Sequence, residues 1–160
     1  MQRKCISIFI KAAMPLVITC ALAAISTSAW ANDDDQRDQD RSCSNQTLHG
    51  DYGFSNEGLL FFPDGSQVAV RGVVLEHFDG YGRLTTADHT VVGGVPPTEP
   101  WRPGSGTYTV NPDCTGTQTI IIPSSPGPAL VLYFVVVRQG REIRQVTNGQ
   151  AITSIGQKVR

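Results

Sequence analysis

Charge of one sign is what this chain has least of. Its 160 residues carry thirteen Lys and Arg against fourteen Asp and Glu, a net charge of −1. A nucleic-acid binder needs a basic surplus to neutralise phosphates, so that class of partner is set aside. The G-x-S-x-G elbow, the P-loop and the glycine-rich dinucleotide fingerprint are all missing, which removes the commonest hydrolase and nucleotide chemistries and leaves no cofactor expected. Ser105 lies between two glycines without a His near it in sequence, and reads as a turn residue. The apolar stretch from Ala12 to about Ile25 falls short of the roughly 20 residues that cross a bilayer, and Lys11 precedes it.

That stretch reads instead as the centre of a signal peptide. Arg3 and Lys4 supply the basic start, and Ser28, Ala29, Trp30 and Ala31 place small residues at the positions a cut after Ala31 requires. Lipid attachment at Cys20 is disfavoured because Thr19 is larger than the residue such sites usually have. Removing residues 1–31 leaves 129 of the 160 residues and takes away three of the basic ones, so the exported chain has ten basic and fourteen acidic residues, a net charge of −4. Two of the four cysteines also leave, and Cys43 and Cys114 remain as an even pair in an oxidising compartment. They are expected to be bonded, and the protein to be periplasmic or secreted, with no membrane span after cleavage.

Asn32 to Arg41 has five aspartates and no apolar side chain, so 32–42 is expected to be a disordered acidic leader. It has no glycine to turn a calcium loop. The domain is then 43–160. Thr47–Phe62 reads as one long kinked strand, with a break near Asn56 as the alternative. Gln67–Phe78 and Arg83–Val92 form a hairpin about Asp79–Gly82. The prolines at 96, 97, 100 and 103 make Val95–Pro103 the longest loop, a candidate lid or rim. Gly106–Val110 and Cys114–Ile122 form a second hairpin. Ala129–Arg138 is apolar on both faces, which predicts either the most buried strand or one with a covered outer face. Glu142–Thr147 and Ala151–Val159 complete eight strands, and no stretch after the signal has a helical period. The fold class is therefore all-β. A single eight-stranded antiparallel barrel with one disulfide is the most economical closure, because it removes exposed sheet edges, and a β-sandwich is the alternative.

The runs C-S-x-x-T-L-x-G-x-Y-x-F at Cys43–Phe54, F-D-G-x-G-x-L at Phe78–Leu84, G-T-Y-T-V-N-P-D-C-T-G-T at Gly106–Thr117 and G-R-E-I-R at Gly140–Arg144 resemble a group of small exported bacterial proteins of unassigned function. Their barrel is similar to that of allene oxide cyclase, a lipocalin-like form. The resemblance covers nearly all of the chain after the signal. It implies the fold and slightly favours a small-molecule pocket, but carries over no catalytic residue.

If Phe78 and Leu84 both face inward, strand alternation places Val70, Gly72, Val74 and Glu76 inside one strand and Thr86, Asp88 and Val92 inside the next. Glu76 and Asp88 are then candidate catalytic residues, since an apolar cavity raises a carboxyl pKa toward a general acid or base. A one-residue slip would turn both to solvent. Arg71 has the opposite parity. Tyr52, Phe54, Phe78, Trp101, Tyr108 and Tyr133 are the candidate ligand-binding residues, apolar walls of which several have polar ends. No metal is expected: of His49, His77 and His89 only the last two could approach across the hairpin, and the two cysteines are better used in a disulfide. Arg138, Arg141 and Arg144 cluster on one hairpin with Glu142 as a partner. Three functions follow as expectations: a barrel binding a small apolar or amphipathic lipophile, an isomerase or cyclase using a lumenal carboxylate, or a structural or interaction protein with a filled barrel. An oligomer is open to each.

Overall fold

The computed structural model describes residues 42–125 and 127–159, so the expected signal peptide and most of the expected acidic leader lie outside the described residues. Eight strands follow in chain order: β1 His49–Phe61, β2 Gln67–Asp79, β3 Arg83–Val92, β4 Arg102–Val110, β5 Thr115–Ile121, β6 Leu130–Val137, β7 Glu142–Thr147 and β8 Ala151–Lys158. Each pairs antiparallel with its sequence neighbour, and β8 returns to β1 from Tyr52↔Lys158 to Leu59↔Ala151, closing a barrel. Closure follows from the sequence pattern. Short turns force antiparallel neighbours, and alternation gives most strands one apolar face that a closed sheet buries while leaving no exposed edge.

One end of the barrel is filled. Tyr52, Phe78 and Tyr108 stack edge to face at 5.3 and 5.0 Å between ring centres, within a core that includes Leu48, Phe54, Leu84, Phe134 and Ile143. Two of the rings lie over glycines on other strands, Phe134 over Gly116 and Phe54 over Gly156, where any Cβ would collide with the ring. The chain entering β1 caps this end through the short 3-10 turn Asn45–Thr47. The Tyr108 hydroxyl donates to Asn45 O at 3.1 Å or to Leu48 O at 3.0 Å, Val110 N donates to Asn45 Oδ1 at 2.8 Å, and Cys43 N donates to Pro112 O at 3.0 Å. The Tyr52 hydroxyl bonds Gly140 O, and burial pushes that phenol up to about 12. The Cys43–Cys114 disulfide, with Cα atoms 5.0 Å apart, fastens the cap to the β4–β5 turn.

β1 is the one long strand expected, unbroken at Asn56. Two expectations need correction. β4 begins at Arg102, four positions before Gly106, because Arg102 and Pro103 pair with Asp88 and Ala87 of β3. Pro103 is tolerated because the β5 ladder starts only at Ser105, so its missing N–H faces no strand. β6 is not covered on both faces: Leu132, Phe134 and Val136 point inward, while Tyr133 and Val135 are 52% and 42% exposed.

β1 and β2 outrun their neighbours. Their ladder continues to Phe61↔Gln67, beyond the last β8 partner at Leu59 and the last β3 partner at Val70. The Gln150 side chain bonds this extension, accepting from Phe61 N at 2.6 Å.

Replacing both Cys43 and Cys114 by Ser should lower unfolding stability by about 4 kcal/mol, given the 71-residue separation that the bond closes. Urea denaturation followed by tyrosine and tryptophan fluorescence measures it, and an unchanged midpoint would show that the cap is held without the bond.

Candidate functional site

The other end of the barrel is open. A cavity of about 540 Å³ runs down from the mouth to the aromatic plug. Its mouth is apolar, with Leu60 and Phe62 from the β1–β2 extension and Ile121, Ile122 and Leu130 around the β5–β6 connection. Its walls carry Val70, Val74, Ile120, Leu132 and Ile152, and its polar groups are Asn56, Glu76, Thr86, Asp88, Arg102 and Gln145 among others.

The β2–β3 register places these groups. Phe78 pairs with Leu84, Glu76 with Thr86 and Val74 with Asp88, so the inward parity anticipated from the sequence is present and both carboxyls face the lumen. Arg71 points out, with its side chain 67% exposed. Glu76 is 2% exposed and Asp88 3%.

The two acids differ in surroundings. Arg102 meets Asp88 in a forked pair, Nη2 to Oδ2 at 2.5 Å and Nε to Oδ1 at 3.2 Å, so that carboxylate is compensated. Among the described residues Glu76 has no cation beside it, and its one hydrogen bond is a long one from Gln118 Nε2 at 3.4 Å, while Gln118 also donates to Gln145 Oε1 at 3.0 Å. Burial therefore pushes the Glu76 carboxyl up to about 8, against the smaller lowering by Gln118. Thr86 Oγ1, Asn56 Oδ1 and Gln118 Oε1 are buried without a hydrogen-bond partner among the described residues.

The predicted aromatic wall lies elsewhere. Tyr52, Phe54, Phe78 and Tyr108 are in the plug beneath the cavity and line none of it. Tyr133 has outward parity on β6. Trp101 is 56% exposed and packs on the outer His89 ring at 6.2 Å, with His89 Nδ1 2.7 Å from Pro100 O, so this part of the proline loop lies along the outside of the barrel instead of across its mouth. His77 and His89 pair with Thr85 and Val73, and His77 Nδ1 is 2.7 Å from Asp51 Oδ1, so the ladder keeps the two rings apart. Glu142 takes Arg144 at 2.8 Å and Arg138 at 3.4 Å, which accounts for much of the basic hairpin.

Sequence reasoning missed Arg102, Gln118, Gln145 and Asn56 as members of the site. Alternation from Tyr52 and Phe54 would have found Asn56. Arg102 had no such signal, because it follows the proline loop, across which register is not readable.

No protein-family model, curated protein or solved structure matches the chain. The fold is a closed eight-stranded antiparallel barrel, which is consistent with a lipocalin-like form. The bonded cysteines, and the lack among the described residues of a helix long and apolar enough to cross a membrane, are compatible with an exported protein.

Because Glu76 binds a proton more tightly folded than unfolded, its ionisation opposes folding. Stability should be full below the ordinary carboxyl value of 4.5 and fall by roughly 1.4 kcal/mol per pH unit as pH rises toward about 8. Glu76→Gln should flatten that part of the profile. Urea midpoints from pH 4 to 9 for both proteins test this, and parallel profiles would place the Glu76 carboxyl in contact with solvent.

Proposed function

We propose that this is an exported barrel that takes one small amphipathic molecule into its lumen, apolar body toward the mouth and polar end toward Glu76. The observation that carries the reading is the cavity itself. Its 540 Å³ lies within the range of small-molecule sites, and its composition fits that class, an apolar wall with a few fixed polar groups. A barrel of eight strands either fills with side chains or holds one small ligand. Here the rings at one end do the filling, and the other end is left open. The resemblance of the Cys43–Phe54 and Gly106–Thr117 runs to small exported bacterial proteins with an allene oxide cyclase-like barrel points the same way, as do the signal-like residues 1–31.

A second reading rests on Glu76. An uncompensated carboxyl whose pKa is pushed up to about 8, at the wall of a cavity, suits proton transfer in an isomerase or cyclase, with the pocket fixing the conformation of a flexible substrate. Asp88 is the weaker candidate for that role because Arg102 occupies both its oxygens. A wholly filled barrel, the third expectation, does not describe this lumen.

Thr90 lines the cavity on β3. Thr90→Trp should abolish fluorescence enhancement of a naphthyl probe by the purified protein while leaving the melting temperature within a few degrees. Unchanged probe binding would mean that the probe sits outside the lumen. Native mass spectrometry of protein from its own host should show a co-purified lipophile, and for the second reading Glu76→Gln should stop turnover of that molecule while Asp88→Asn reduces it less.

A further inference from the structure

The groups around the cavity have a sign, and it selects the polar end of the ligand. Resting on the lumen being a ligand pocket, we propose that the molecule it accepts is a lipophilic amine, whose protonated ammonium group is held by Glu76 and Thr86.

Hydrogen-bond bookkeeping leads there. The cavity presents two carboxyls and one guanidinium, and the guanidinium is already committed: Arg102 gives Nε and Nη2 to Asp88. Of the buried side-chain oxygens without a partner among the described residues, Asn56 Oδ1 and Gln118 Oε1 can only accept, and the Thr86 hydroxyl can accept as well as donate. Glu76 has one long bond to one oxygen. Thr86 Oγ1, directly across the ladder from Glu76 on β3, has no partner among the described residues although Thr86 is only 8% exposed. Asn56 Oδ1 is buried and unpartnered on the same lumen. Buried acceptors are costly unless a donor reaches them, and an ammonium group brings three donors and no acceptor.

A carboxylate or phosphate end fits poorly. It would face Glu76 and Asp88, and the one cation lining the cavity, Arg102, is already paired with Asp88. A neutral hydroxyl offers a single donor to several waiting acceptors. An ammonium ion taken out of water needs a paired counter-charge, and Glu76 is the group that has none of its own.

The groups facing Glu76 allow the pairing. From β1 it meets Tyr52, pushed up to about 12 and so un-ionised at neutral pH, from β3 Thr86 and Asp88, from β4 Arg102 paired with Asp88, and from β5 and β7 the amides Gln118 and Gln145. None supplies a competing cation. An empty site keeps Glu76 protonated near neutral pH, so entry of the ammonium releases that proton.

The test is displacement of an apolar naphthyl probe from the purified protein at pH 7.5 by decylamine, decanol and decanoic acid, which share a tail. Decylamine should displace at a concentration at least tenfold lower than decanol, with decanoic acid weakest. Glu76→Gln should bring decylamine to the level of decanol, and Thr86→Val should weaken decylamine several-fold and leave decanol unchanged. The wild-type affinity for decylamine should rise by up to about tenfold per unit between pH 6 and 8 as the expelled proton becomes easier to lose. Equal binding of the three, a preference for the acid, or a flat pH profile would overturn the amine assignment while leaving the pocket in place. Failure of the probe and all three tails to bind would overturn the pocket reading and this inference with it.

Discussion

The circumference of a closed sheet is set by the number and stagger of its strands, so the width of this lumen is fixed before any side chain is chosen. What the sequence controls is how much of that width each inward position fills. At one end it places Tyr52, Phe78, Tyr108, Phe54 and Phe134, and clears space for the last two with Gly156 and Gly116. At the other it places valine, isoleucine, threonine and asparagine, which stop short of the axis. One barrel is thus both a packed core and a container. The plug also isolates the container from the chain entry that the disulfide fastens, so the bond stabilises the fold without touching the cavity.

Two buried acids a short way apart on one hairpin illustrate how surroundings divide identical chemistry. Asp88 lies directly opposite Arg102 in the β3–β4 register, and a forked ion pair forms there. Glu76 pairs with Thr86, and beyond Thr86 on β4 lies Gly104, which offers no side chain. The first acid is part of the wall's structure, and the second is left as a group with chemistry to spare. A carboxyl in that position costs folding free energy, and a buried group that destabilises its own fold is a common mark of a site.

Much of this was legible in the chain. The eight strands and the inward parity of Glu76 and Asp88 follow from alternation and turn residues, which are local; the closed barrel follows from the cost of exposed sheet edges, and the Cys43–Cys114 bond from there being only two cysteines after the expected signal. The missed features depend on distance. Arg102 reaches Asp88 only through the register across the proline loop, and loop length does not determine register. Gln118 reaches Glu76 across the lumen and Gln145 in turn holds Gln118, a relation no single strand encodes. The aromatics were read as walls because an inward ring looks alike at any height. Their height is decided by which strand end they occupy, and Tyr52, Phe78 and Tyr108 all lie toward the capped end. Tyr133 and the apolar outer face of β6 show the converse, that an apolar run need not be covered within one chain.

The extension of β1 and β2 past their neighbours bears on how anything enters. Beyond the last ladder partners the extension is held by few bonds, Gly93 N to Ala69 O on one side and, beyond Leu59, the side chain of Gln150 reaching Phe61 in place of β8 on the other. Leu60 and Phe62, which line the mouth, are carried on or beside that ribbon. A local opening of this ribbon is therefore also a widening of the entrance, at the end of the barrel opposite the capped one, so a guest can be admitted or released by fraying the ribbon while the rest of the sheet keeps its ladder.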